Sequence, residues 1–79
     1  MNKLSFNLND LYIFYYVAHL NGFTAAANLL GMPKSKISRR ISMLEESIGQ
    51  RLMQRNPRSI SLTHAGENLY KQASEIVQR

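Results

Sequence analysis

Seven basic side chains, Lys34, Lys36, Arg39, Arg40, Arg51, Arg55 and Arg58, are gathered between positions 34 and 58, where only Glu45 and Glu46 oppose them. Outside that stretch acids and bases balance, so the whole formal net charge of +5 resides in this one segment. A uniform basic excess can be a solubility device, whereas a concentrated one points to a polyanionic partner. The chemistry on offer is phosphate neutralisation with counterion release, together with paired hydrogen bonds from a guanidinium to O6 and N7 of guanine. Ser35 and Ser38 are interleaved with the cations, and their hydroxyls can donate or accept at base edges. The competing reading of such a run is a solvated face. Against it, the basic residues lie off the apolar stripe of their helix and recur at the tip of a turn.

Other chemistries lack their residues. Cysteine is absent, which excludes disulfides, a thiol nucleophile and Cys-ligated zinc. His19 and His64 lie far apart with no metal-ligand spacing, and the four glycines form no phosphate-binding loop. No Ser, His and Asp arrangement stands out, and a three-helix core leaves little room for a substrate pocket. The expectation is no enzyme, no metal and no cofactor. The aromatic residues of the first helix are assigned to core and subunit contact rather than base stacking, because they lie remote from the basic segment.

The elements that must position the basic residues can be read in turn. Asn7 caps a first helix, with Asp10 as capping-box partner and Phe6 and Leu11 as a hydrophobic staple. Leu11, Phe14, Val17 and Ala18 recur at helical spacing, and Asn21-Gly22 ends the element. Tyr12, Ile13, Tyr16 and Leu20 make this helix apolar nearly all round, so cover is expected on both sides. Thr24 caps a short second helix, Ala25 to Leu30, closed by Gly31. Pro33 then fits the first position of a third helix, ended by Gly49. Its stripe is Ile37, Ile41, Leu44 and Ile48, and Ser35, Arg39, Ser42 and Glu46 fall opposite. Lys34 and Ser38 flank one side of that exposed face, Lys36 and Arg40 the other. Two helices joined by Gly31-Met32-Pro33 make a helix-turn-helix candidate.

Beyond Gly49 the period becomes alternating. Leu52 to Arg55 and Ser59 to Leu62 read as strands about an Asn56-Pro57-Arg58 turn, a basic-tipped hairpin or wing. Arg55 stands either to pair with Glu45 or Glu46 as a wing anchor or to contact phosphate. Thr63 caps a last helix with Leu69, Tyr70, Ala73, Ile76 and Val77 at helical spacing. The longest apolar run, Leu11 to Ala18, is eight residues, far short of the ~20 that a bilayer requires, and the N-terminus carries no signal-peptide pattern. The expected class is mainly α with a small β-hairpin in one soluble, intracellular domain.

From about Leu8 to Tyr70 the sequence resembles the N-terminal DNA-binding domain of LysR-type transcriptional regulators. The resemblance is carried by Leu11, Phe14, Phe23-Thr24, Ala26-Ala27, Leu30, Ile37-Ser38, Ile41 and Leu44-Glu45. It continues through Ile48-Gly49, Leu52, Arg55, Arg58, Leu62-Thr63, Ala65 and Gly66. Pro33, Lys34, Lys36 and Met53 depart from the residues usual there. The resemblance implies a winged helix-turn-helix: a three-helix core, a wing beside the minor groove and a C-terminal linker helix that pairs two subunits. It implies that residues 1–62 form the DNA-binding domain, that 63–79 begin the linker and dimerisation helix, and that the family's effector-binding domain is absent from this chain. Carried over by position, Lys34, Ser35, Ser38 and Arg39 match base-contacting places, Thr24 a phosphate contact and Arg58 the wing residue. Lys36 and Arg55 complete the expected DNA-binding set.

The function implied is sequence-specific binding of double-stranded operator DNA in the bacterial cytoplasm. The partner is a second copy of the chain, as homodimer or higher homo-oligomer through the C-terminal helix. A small-molecule inducer would enter only through an effector domain. The rival from another class is a winged-helix protein-interaction module whose basic face meets an acidic protein. A peripheral membrane domain is weaker, because the basic stripe lacks an exposed apolar companion.

Overall fold

The computed structural model of the chain describes residues 7–55 and 59–77. Along the chain run α1 (Leu8–Leu20), α2 (Phe23–Leu30), α3 (Lys34–Ile48), β1 (Met53–Arg55), β2 (Ile60–Leu62) and α4 (His64–Val77). This is the expected winged helix-turn-helix, mainly helical with one two-stranded hairpin. The strands are antiparallel, pairing Met53 with Leu62, Gln54 with Ser61 and Arg55 with Ile60. The residues expected to form the wing turn, 56–58 with Arg58, lie outside the described residues, as does the Phe6 half of the expected staple.

The helix α1 is the centre of the molecule. It packs against α2, α3 and α4 and touches β2, and its Phe14 and Val17 are completely buried. Ile37, Ile41 and Leu44 of the α3 stripe close the core from one side, and Leu52 and Met53 from the wing side. Ile13, expected on the outer side of α1, joins the core. Tyr12 and Leu20 stay exposed, so half of the second apolar side is uncovered in a single chain.

Chain geometry at the helix ends corrects several expectations. Asn7 does cap α1, but its Oδ1 accepts from the Asn9 N–H at 2.7 Å, and Asp10 makes no capping box. Asp10 is instead buried against Arg40, whose Nε lies 2.8 Å from Oδ1 in an ion pair without an aligned hydrogen bond. A carboxylate paired with a guanidinium is held more strongly than one bonded to a single exposed amide. At the start of α2, Gly22 is the cap and Thr24 lies within the first turn, one residue into the helix. Pro33 is the cap of α3, not its first residue: its ψ of 144° is extended, and its carbonyl accepts from Lys36 and Ile37. Asn21 ends α1 at φ 59°, and Gly31 and Gly49 end α2 and α3 in the same left-handed region. Thr63 caps α4 as expected, its Oγ1 accepting from Gly66 N–H at 3.0 Å while donating to the Arg51 carbonyl.

Candidate nucleic-acid interface

The exposed face of α3 is built as its spacing implied. Lys34, Ser35, Lys36, Arg39 and Ser42 are exposed and Ser38 is half-buried, while Ile37, Ile41 and Leu44 face inward. Neither Lys34, Lys36 nor Arg39 forms an ion pair among the described residues. Three cations therefore stand over the first half of α3 without internal neutralisation. Thr24 is exposed in the first turn of α2.

The helix N-termini divide into two kinds. The α1 and α4 ends are each capped by a side chain, Asn7 and Thr63, and each has an acid in its first turn, Asp10 and Glu67. Neither α2 nor α3 has a side-chain cap or an acid in the first turn, and α3 adds Lys34 and Lys36 there. Cations at a helix N-terminus oppose the macrodipole, at a cost of ~0.3–1 kcal/mol each. Free N–H groups with positive charge beside them are what an incoming phosphate needs.

Arg40, Arg51 and Arg55 are placed differently. Arg40 is paired with Asp10. Arg51 is exposed and only loosely near Glu45, its Nε 3.9 Å from Oε2. Arg55 is partly buried, with Nη2 3.4 Å from Glu45 Oε1 and Nη1 donating to Ser42 Oγ at 3.4 Å. Its guanidinium also lies over the Phe23 ring, 5.5 Å from the centroid, a cation–π contact. Of the two acids named as partners for a wing anchor, Arg55 meets Glu45. Arg58 lies outside the described residues.

Two scaffold roles were not read from residue type, the hold of Glu45 on backbone amides and the close approach at Gly66. Glu45 is buried, and its Oε2 accepts from the backbone N–H groups of Leu52 at 2.9 Å and Met53 at 3.3 Å. Its signal was available: an acid four residues after Ile41 and three before Ile48 lies on the apolar stripe. Gly66 is packed so closely that a Cβ would overlap the Leu52 carbonyl. Nothing in a lone glycine reveals that approach.

Residues 8–67 match the family described as bacterial regulatory helix-turn-helix protein, lysR family. The chain belongs to that family. It is 40% identical over 78 residues to the HTH-type transcriptional regulator DmlR of Escherichia coli strain K12, covering 99% of this chain and 25% of the relative. A regulator of Xanthomonas campestris is 40% identical over 75 residues, 95% of this chain and 22% of its own length. The chain thus spans about a quarter of the length of these curated relatives. Among solved structures, full-length AphB, a Vibrio cholerae virulence activator, superimposes with TM-score 0.88 at 37% identity, over 92% of this chain and 25% of that one. A BenM DBD/catB site 1 DNA complex gives TM-score 0.85 at 32% identity, over 91% of this chain and 81% of that one.

Proposed function

We propose that this chain binds double-stranded DNA sequence-specifically, as the DNA-binding module of a LysR-type bacterial transcriptional regulator. The observation that carries the reading is the pair of uncapped, acid-free N-termini of α2 and α3, lined by Thr24, Lys34 and Lys36 beside the exposed Arg39. The similarity of the fold to the BenM–DNA complex supports it.

In this reading Ser35, Ser38, Arg39 and Lys34 present donors and acceptors to base edges in the major groove, with Arg39 suited to a guanine. Thr24 and Lys36 hold phosphates and carry no sequence information themselves. Arg58 lies in or beside the minor groove, where narrow A·T-rich stretches attract Arg. Residues 1–62 are the DNA-binding unit, and 63–79 begin the helix that pairs it with a second copy. The proposed role calls for no catalysis, cofactor or metal. Bacterial cytoplasm is the compartment where such a module meets its operator.

The test is enrichment of bound fragments by the purified chain from a pool of random-sequence duplexes. The expected result is a shared half-site that survives single-stranded competitor. Retention without enrichment, or no retention at low salt, sinks the reading and favours an acidic protein as the partner of the basic face.

A further inference from the structure

We propose that Glu45 is a positioning residue for DNA recognition: its buried carboxylate fixes the wing hairpin at one angle to α3, and Arg55 serves that clamp rather than a phosphate. The inference rests on the DNA-binding reading above and adds a residue to which that reading assigns no role.

The two surfaces expected to touch DNA, the α3 face and the wing, are not packed directly on each other. The strand β2 rests on α1 and α4, and no comparable packing joins either strand to α3 among the described residues. Beyond the shared core, the side-chain hydrogen bonds that join them run through Glu45 and its partner Arg55. Glu45 sits one turn before the end of α3, and its Oε2 takes the N–H groups of Leu52 and Met53, the residues that lead into β1. Its other oxygen lies against Arg55, at the far end of the same strand. The carboxylate therefore grips β1 at both ends.

Arg55 extends the grip. One terminal nitrogen meets Glu45, the other donates to Ser42 one turn earlier on α3, and the flat face of the guanidinium lies over Phe23 of α2. Wing, second helix and third helix are joined through this one cation. A phosphate could take Arg55 only by breaking contacts to both helices and leaving Glu45 opposite two backbone donors with less positive charge to match. A charge at a phosphate contact is normally held open to solvent, as Lys34, Lys36 and Arg39 are here.

Two variants of the full 79-residue chain separate the roles. Glu45→Gln keeps a carbonyl oxygen for the Leu52 and Met53 amides but removes the charge that holds Arg55. Arg55→Met leaves those amides satisfied and keeps an unbranched, flexible side chain. The probe is the duplex that the wild-type chain enriches from a random pool. Readouts are the dissociation constant, hydroxyl-radical protection of the wing-side minor groove and methylation protection of guanine N7 beneath α3. Each variant should bind about tenfold more weakly and lose the wing-side protection while keeping the guanine protection. The double variant should be scarcely worse than either single one, because both act through the same contact.

Multiplying losses in the double variant, with Arg55→Met lowering the salt dependence and Glu45→Gln leaving it unchanged, overturn the proposal and make Arg55 a phosphate ligand. Loss of guanine and wing protection together, in a variant whose amide spectrum is folded, also overturns it, since Glu45 would then be merely structural. If Glu45→Gln does not fold, Arg55→Met carries the same test. Failure of the wild-type chain to enrich any duplex would be failure of the DNA-binding reading itself. The clamp is then decided without DNA, by residual dipolar couplings of the hairpin amides relative to those of α3. A changed orientation in either variant supports the clamp, and an unchanged one overturns it.

Discussion

Arg39 and Lys36 are three residues apart on α3, yet the proposed reading gives them different tasks. Arg39 is central on the exposed face, with Ser35 and Ser38 as neighbours, and in the proposed reading its contact depends on the base beneath it. Lys36 stands at the edge, beside a groove that Asn9 and Arg40 also line, and in that reading its partner is a phosphate. Arg39→Ala should therefore cost ~1–3 kcal/mol on the preferred site and flatten discrimination at one base position. Lys36→Ala should weaken preferred and scrambled duplexes alike. Competition titration against single-base variants checks both, and the reverse pattern would exchange the two assignments. Glu45 poses a different kind of question. Replacing it by Ala strips the acceptor from two backbone N–H groups and leaves the partly buried Arg55 without its counter-charge, so ~2–4 kcal/mol of folding stability should be lost in urea titration. A loss below half a kcal/mol would mean that water replaces the carboxylate.

At the scale of elements, the joint between α4 and the core has two parts. Near its start, Gly66 lets the helix approach the Leu52 carbonyl, and Gly66→Ala should cost ~1–3 kcal/mol by forcing the helix away from the hairpin. Ala elsewhere in an exposed helix stabilises, so a neutral result would show that the approach can relax. Further along, Tyr70 Oη lies 2.9 Å from His19 Nδ1, and the Tyr70 ring stacks on Tyr15 at 5.4 Å between centroids. Burial, and then the neighbouring Tyr15, push the Tyr70 phenol above its ordinary value of 10.0. The folded state therefore favours the protonated phenol. Its contribution is intact below the ordinary tyrosine range and is lost as pH rises through the raised value. Absorbance titration of tyrosinate should show late-ionising phenols, and Tyr70→Phe should remove one of them.

For the whole molecule, the decisive quantity is how many cations reach phosphate. If five to seven basic side chains do so, log K for duplex DNA should fall against log salt with a slope of roughly −4 to −6 per subunit. With Arg40 bound to Asp10 and Arg55 to Glu45, the lower magnitude is expected. A slope near zero would remove phosphate contact altogether. Assembly is the second quantity. Ile76 is 60% exposed on α4, and Tyr12 and Leu20 on α1 are also uncovered, so a second copy has apolar surface to bury. Sedimentation at micromolar concentration should find dimers, weakened by Ile76→Asp. A strict monomer with α4 folded would leave that surface to another partner.

Much of this is local chemistry and so was legible in the chain itself. The stripe of α3, the stops at Asn21, Gly31 and Gly49, the Thr63 cap and the change to strand spacing after Gly49 each depend on residues a few positions apart. Concentrated charge and the spaced match from Leu8 to Tyr70 likewise required no coordinates. Local patterns misled where two local rules competed. Thr24 and Pro33 satisfied the preferences of caps and first turns, but the path of the turn started α2 two residues earlier and α3 one residue later. Only the tertiary structure decided which charges are free. Asp10 and Arg40 are thirty positions apart, and Glu45 and Arg55 ten, so their pairing depends on how α1 and the wing pack against α3. A guanidinium that meets a buried carboxylate is held as a strut, whereas one left in water remains available to a polyanion, and sequence spacing does not encode that difference.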